Sequence, residues 1–467
     1  MAGRPPEGDP APPDGRLPDG LAAARQGQPL SLYLHIPWCR SRCGYCDFNT
    51  YRLDRRDHDA TRPYLAALGR ELELAADQLG PRPVVTVYFG GGTPTLLGPA
   101  DFAWLLTRVS DLFQLDPAAE ITTEANPETV ALEYLERLRQ TGVNRLSLGM
   151  QSAVESVLAV LDREHRPGRA VEAVDWARRA GFDSVSLDLI YGTPGESTAD
   201  WETSLAVGLA AGPDHLSAYA LTVEPGTRLA ARLGRGELDW PDPDDLADKY
   251  LQAEDRLARA GLPWYEISNW ARPGAACRHN LAYWRSDDWW GVGAGAHSHV
   301  GGLRWWNHRL PRRYNDRLEA GLSPAQAGER LTDEQRRVER IMLDLRLASG
   351  LDPVWLTASE RGRLGFPLAQ GLMEVRPSAT AGSRRGTAAE PVSDQVRVDP
   401  VVTVDGADRV RPGPVVTVDG SGQPAGPVET SGQSVGGPAD PLRLSGRLVL
   451  TPAGRLRADG LVRDLLD

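Results

Sequence analysis

Three cysteines lie close together as Cys39-x-x-x-Cys43-x-x-Cys46, just past the alternating apolar run at residues 31–36, and the chain's remaining cysteine, Cys277, is far away. Thiolates clustered in this way are ligands for a metal ion or an iron-sulfur cluster. Structural zinc sites fill four tetrahedral positions and cysteine-held clusters usually take four thiolates, so a local triplet leaves one coordination position for something else. A small molecule can take that position on a cubane. A zinc site would need a further ligand from His35, His58 or Cys277. A disulfide framework is disfavoured, because the local count is odd and a chain of 467 residues can bury a core without covalent staples.

Further candidates follow downstream. Residues 84–89 run into Gly90-Gly91-Gly92-Thr93-Pro94-Thr95, where successive glycines let a backbone approach a ligand and aim amides at it. Tight strand-to-helix turns also use glycine for geometry alone. Glu124, Gln151 and Asp188 each end an otherwise apolar run. Singly, each reads as a cap or turn former; on one rim together they favour a ligand. Arg163 either pairs with a ligand carboxylate or is a surface charge.

The elements that must position these residues alternate. Strands are expected near 31–36, 84–89, 120–124, 145–149, 184–190 and 215–221, with helices near 62–79, 100–113, 129–141, 168–180, 198–211 and 244–260. Parallel strands need crossover helices, so this alternation predicts an α/β fold, a partial (β/α)6 barrel. Its reactive face lies at the carboxyl ends of the strands. The expected organisation is a disordered N-terminal tail over 1–28, the barrel over 29–262, an aromatic and Gly-rich extension over 263–319, and a small helical, winged-helix-like C-terminal domain over 320–467. Helices are expected there at 332–348, 353–360 and 367–374, with a short hairpin and closing helix over 442–466. Residues 376–441 hold no aromatic residue and no Leu, Ile, Met or Cys, which predicts a disordered insertion. Within it, residues 400–406 repeat at 414–420, which reads as a duplicated linker fragment.

With 52 basic against 63 acidic residues the net charge is −11, which leaves no electrostatic footprint for non-specific nucleic-acid binding. No run is long and apolar enough for a membrane span, and the Pro- and Gly-rich start lacks the apolar stretch of a secretory signal. A cytoplasmic location is expected, where thiols stay reduced.

Cys39, Cys43, Tyr45 and Cys46 resemble the CxxxCxΦC signature of the radical S-adenosylmethionine (SAM) superfamily, Φ being aromatic. The resemblance implies a [4Fe-4S] cluster held by the three cysteines, with SAM chelating the fourth iron through its amino and carboxylate groups. The stretches YxHIPWC, GGGTPT, TxEANP, GxQS, LDLIYGxP and LSAYxLTxEPGT are similar to one branch: the oxygen-independent coproporphyrinogen III oxidases and their heme-chaperone relatives. The likeness covers residues 30–375 and resumes over 442–467. By it, Tyr33, Tyr45, Gly91, Gly92, Thr93, Glu124, Gln151, Arg163, Asp188 and Thr222 would contact SAM.

Two departures separate the relatives. The oxidases carry a further cysteine two places past the triplet, where this chain has Phe48, and Cys277-Arg-His279-Asn280-Leu-Ala-Tyr283-Trp284 reproduces the HNxxYW motif associated with heme binding. His279 offers an imidazole for heme iron, Tyr283 and Trp284 offer flat apolar surface, and Asn280 can bond the ring or a propionate. A histidine among aromatics is also an ordinary core residue, and Cys277 reads as a buried small hydrophobe. His297, in a glycine-dense stretch, is a second choice of ligand. The expected function is a heme chaperone that binds heme, the cluster and SAM and delivers heme to an acceptor protein, with an electron-donor protein serving the cluster. The alternative is oxidative decarboxylation of coproporphyrinogen III; a radical enzyme on nucleic acid is disfavoured by the charge.

Overall fold

Strand and helix alternate along the first half of the chain, and the computed structural model describes residues 8–53, 58–377 and 446–467. Strands β1 (Leu30–Ile36), β2 (Pro83–Gly91), β3 (Gln114–Ala125), β4 (Arg145–Gln151), β5 (Ser184–Tyr191) and β6 (His215–Ala220) pair in sequence order, all parallel. Helices α1 (His58–Leu79), α2 (Pro99–Leu112), α3 (Leu132–Gln140), α4 (Arg169–Arg179) and α5 (Thr198–Ala210) are the crossovers, and α6 (Pro243–Arg259) follows β6. Local chemistry starts these helices where the sequence says they should start. Ser197 accepts from the Asp200 amide in a capping box before α5, and Asp242 caps α6 ahead of Pro243.

Segment 263–319, expected as a separate extension, instead supplies further strands of the same sheet. β7 (Asn269–Ala271) pairs antiparallel with β6, while β8 (Trp289–Val292) pairs parallel with β1, so the chain between them crosses from one edge of the six strands to the other. Helix α7 (Arg278–Trp284) lies in that crossing. Antiparallel strands His297–Val300, Leu303–Asn307 and Ala325–Arg330 extend the β8 edge to a sheet of 13 strands.

Three other expectations are corrected. Residues 8–28 are not a free tail: Asp9–Pro10 pairs with Ala325–Arg330, Leu17 is buried and Arg25 is ion-paired. Residues 373 and 374, expected to end a helix, instead open the strand Met373–Arg376. The terminal hairpin is therefore not local to 442–466, because Met373–Arg376 pairs antiparallel with Arg447–Leu450 across the intervening segment. The closing helix is present at Ala458–Leu466. The insertion at 376–441, with its repeat, lies outside the described residues apart from Arg376 and Pro377, as do residues 1–7. Arg455 joins the C-terminal helices to the rest, donating to Glu254 at 2.8 Å and lying over the Trp264 ring at 4.1 Å.

One buried ion pair ties the added strands to the barrel. Asp288, just before β8, accepts from Arg82 at 2.9 Å and from both Nε and Nη2 of Arg25 at 2.9 and 3.0 Å, and Arg82 and Asp288 are fully buried. Burial alone would raise the Asp288 pKa; hydrogen bonds from Arg25 and the Gly301 amide, with the charge of Arg82, outweigh it and hold it below the ordinary carboxylate value. A depressed carboxylate pKa stabilises the fold above the unfolded value and loses that contribution as pH falls through the folded one. Asp288→Asn is expected to cost about 3 kcal/mol at neutral pH in urea unfolding. The difference from wild type should shrink as pH drops below the ordinary aspartate range; a gap independent of pH would contradict the assignment.

Candidate functional site

Side chains in β1–β6 alternate between two environments. Leu32, Leu34, Val87, Phe89, Leu146, Leu148, Leu187, Leu189 and Leu216 are fully buried in the main apolar core. Their neighbours Tyr33, Tyr88, Thr122, Glu124, Arg145, Ser147, Asp188, His215 and Ser217 line a cavity of about 590 Å³. Parallel strands covered on both faces normally read as continuous apolar runs, so a polar inner face marks a ligand space, not a packed interior.

The cysteine loop roofs this cavity. Trp38–Cys39 pairs with Tyr51–Arg52, and Cys39, Cys43 and Cys46 are half-buried free thiols on the cavity wall, beside Tyr45 and Phe48. A hydrogen-bonded chain fastens the loop to the strand ends. Thr93 donates to Cys39 Sγ at 3.7 Å, and Asn126 Nδ2 donates to Thr93 at 3.0 Å. Arg163 donates to Asn126 Oδ1 at 3.0 Å, to the Gly149 carbonyl at 3.1 Å and to Cys43 Sγ at 3.3 Å. Burial pushes the Cys39 thiol up to about 11 and raises Cys46, which favours the protonated form of those two. At Gly92 a Cβ would sit 2.5 Å from the Trp38 carbonyl and 3.0 Å from Cys39 Sγ, which explains glycine there. Among the described residues no three His, Cys, Asp or Glu side chains surround a single metal ion. Among the described side chains the zinc alternative also lacks its extra ligand: His35 is bonded through Nδ1 to Tyr33 and through Nε2 to the Asn49 carbonyl, both at 2.9 Å. The side chain of His58 lies outside the described ones.

The remaining expected residues gather along the rim. Glu124 accepts from Tyr88 at 2.9 Å and from the Gly91 amide at 3.0 Å, Gly91 having φ 116°, and burial lifts the carboxyl to about 7. Gln151 adopts the left-handed φ of 57°, unusual for a side chain of its size, and its Oε1 is buried without a partner among the described residues. Asp188 accepts from Ser147 and Ser217 at 2.9 and 2.7 Å, and burial raises its pKa. Thr222 lies exposed at the mouth. Asn126 was visible only as part of the TxEANP stretch, and Ser147 and Ser217 gave no signal beyond strand alternation.

The HNxxYW motif forms the opposite end, the floor. His279 is 2% exposed, with Nδ1 2.8 Å from Thr86 Oγ1 and Nε2 2.8 Å from the Tyr283 hydroxyl; burial pulls its pKa down to about 3. The amides of Arg278 and His279, at the start of α7, donate to Glu120 at 3.0 Å each, and Cys277 donates to it at 3.5 Å. Cys277 is thus a buried floor residue far from the other thiols. His279, Asn280 and Tyr283 line the cavity, whereas Trp284 does not; Asn280 and Trp284 both bond Glu266. His297 is exposed and stacks on Trp306, away from the cavity.

Residues 33–207 match the radical SAM superfamily. A heme chaperone HemW of Mycobacterium tuberculosis (strain ATCC 25618 / H37Rv) is 49% identical over 364 residues, covering 78% of this chain and 93% of that one. A heme chaperone HemW of Synechocystis sp. (strain ATCC 27184 / PCC 6803 / Kazusa) is 38% identical over 332 residues, 69% of this chain and 79% of that one. The structure of coproporphyrinogen III oxidase (HemN) from Escherichia coli superimposes with a TM-score of 0.70 over 95% of this chain and 92% of that one; at 23% identity it shows the shared fold alone. No described helix is long and apolar enough to cross a membrane. On its identity to these relatives, over nearly the whole length of the mycobacterial one, the chain belongs to the HemW family of the radical SAM superfamily.

Proposed function

We propose that this protein is a heme chaperone whose barrel holds a [4Fe-4S] cluster on Cys39, Cys43 and Cys46 and SAM across the rim, and which delivers heme to an acceptor protein. The carrying observation is three half-buried thiols on the wall of a polar cavity, braced by Thr93, Asn126 and Arg163. Hydrogen bonds from Thr93 and Arg163 suit thiolate sulfur, and the shortage of a fourth local cysteine suits a cluster with one iron left for a small molecule. When bound and reduced by an electron-donor protein, such a cluster supplies an electron to the SAM sulfonium. Around it, Glu124 and Asp188 offer carboxylates to an ammonium and to ribose hydroxyls, Gln151 offers a free amide oxygen, and Gly91, Gly92 and Thr93 bring backbone close. Tyr33, Tyr45 and Thr222 complete the wall.

For heme we assign His279 as the nitrogen donor. Burial keeps the imidazole neutral, as metal ligation requires, and Thr86 orients it from Nδ1. As a ligand, Nε2 would give up its hydrogen bond to Tyr283. Tyr283 supplies ring surface, while Asn280 and Trp284 position the helix through Glu266. The oxidase alternative is disfavoured by the HemW relatives and by Phe48, 63% exposed, at the position of the oxidases' extra cysteine.

Protein purified anaerobically is expected to hold about four iron and four sulfide per chain, and the Cys39/Cys43/Cys46 triple alanine variant almost none. Zinc in place of iron would overturn the reading. SAM affinity should weaken as pH falls below about 7, as Glu124 takes up its proton, by up to about ten-fold per unit; Glu124→Gln should flatten that profile. His279→Ala should shift or abolish the Soret band of the heme complex, and an unchanged band would remove His279 as ligand. Incubation with coproporphyrinogen III, SAM and reductant should give no protoporphyrinogen; turnover would establish the oxidase instead.

A further inference from the structure

Arg145 opens β4 and points into the cavity near its floor. It is 3% exposed, its Nη1 donates to Ser184 Oγ at 2.8 Å and to the Ala275 carbonyl at 2.9 Å, and its Nη2 has no partner among the described residues. Those partners are neutral. Glu120 balances the guanidinium only at longer range, since its oxygens are taken by the amides of α7 and by Cys277, and Asp188 is held by Ser147 and Ser217. No carboxylate among the described residues comes within ion-pair distance of it. A buried cation with a free donor and no carboxylate in contact is left short of a partner that something anionic can supply.

Directly across the ladder, Thr122 on β3 is the register partner of Arg145. Thr122 is 1% exposed, lines the same cavity, and its hydroxyl is also without a partner among the described residues. Two unsatisfied donors on adjacent strands, one charged, match the two oxygens of a carboxylate. Arg145 lies six residues, roughly 20 Å of extended strand, from Gln151 at the far end of β4, and Thr122 lies two residues, roughly 7 Å, before Glu124 on β3, so the pair sits below the rim. It is therefore distinct from the thiol loop, where a SAM carboxylate would be engaged by iron.

We infer that Arg145 Nη2 and the Thr122 hydroxyl form a carboxylate subsite on the cavity floor. Resting on the heme reading above, we assign it to a propionate of the porphyrin. It sits on the same floor as His279, whose Thr86 partner is on the next strand, so one ligand can engage both.

The test uses the full-length, cluster-reconstituted protein, titrated with hemin and with hemin dimethyl ester, in wild type, Arg145→Met and Thr122→Val. Wild type is expected to prefer the free acid by roughly ten-fold or more, the worth of a charge-assisted hydrogen bond; Arg145→Met should erase the preference and Thr122→Val reduce it. Thr122→Val leaves the bonds to Ser184 and Ala275 intact, so it reports even where Arg145→Met folds poorly. Equal binding of acid and ester by wild type, or a preference surviving both substitutions, overturns the subsite. Should wild type bind neither porphyrin, the heme reading fails and sodium malonate decides the subsite. A melting temperature raised by malonate in wild type but not in Thr122→Val supports a free organic acid there, and equal response overturns it.

Discussion

A parallel strand buried on both faces must still satisfy whatever polar groups it carries, and β1–β6 carry them on one face in every strand. Tyr33, Tyr88, Glu124, Ser147, Asp188 and Ser217 all face inward, opposite the leucines and valines that pack under the helices. Such a face cannot close on itself without leaving donors and acceptors unpaired, so it encloses a space and pairs what it can within its own wall. The carboxylates of Glu124 and Asp188 are bonded to neighbouring strands, whereas Gln151 Oε1, Thr122 Oγ1 and Arg145 Nη2 are left over. Those leftovers are where a ligand gains most.

The space is closed from two directions by segments that differ in kind. Above, the loop bearing Cys39, Cys43 and Cys46 is anchored by hydrogen bonds to its sulfurs, by backbone bonds of Gly44 to Leu161 and Leu229, and by the packing of Tyr45, and its thiols stay at the wall. Below, the chain between β7 and β8 crosses from one sheet edge to the other, and Glu120 holds the start of α7 there by its amides. The buried Asp288 carboxylate, clamped by Arg25 and Arg82, fixes the far end of that crossing. Floor and barrel are one structure, which is why a motif far along the chain from β5 shares a cavity with the cysteine loop.

Local patterning made most of this legible. Each of the six barrel strands and its helix follows from apolar runs, caps and glycine turns, which act over a few residues. The thiol triplet marked a metal or cluster site by its spacing, and the radical SAM resemblance supplied the expected cluster. What escaped depends on distant pairing: Met373–Arg376 becomes a strand beside Arg447–Leu450, and the Pro-rich start is held by long-range contacts such as the Asp9–Pro10 pairing, the burial of Leu17 and the Arg25 bond to Asp288. The role of 263–319 was hidden for the same reason, since its strands are three to five residues long and take their register from β1 and β6. Arg145 and Thr122 could not be singled out, because strand alternation does not say which inward polar groups remain unpaired. His279 was found by motif, but its two hydrogen bonds needed coordinates.

The central claim is that the cysteine loop holds a cluster with one iron reserved for a ligand lying against the polar face. Mössbauer spectroscopy of protein reconstituted with ⁵⁷Fe, recorded with and without saturating SAM, tests it most directly. A four-iron spectrum is expected in which SAM alters about one quarter of the area, the share of one iron in a [4Fe-4S] cluster. A spectrum untouched by SAM, or one lacking a four-iron cluster altogether, would contradict it.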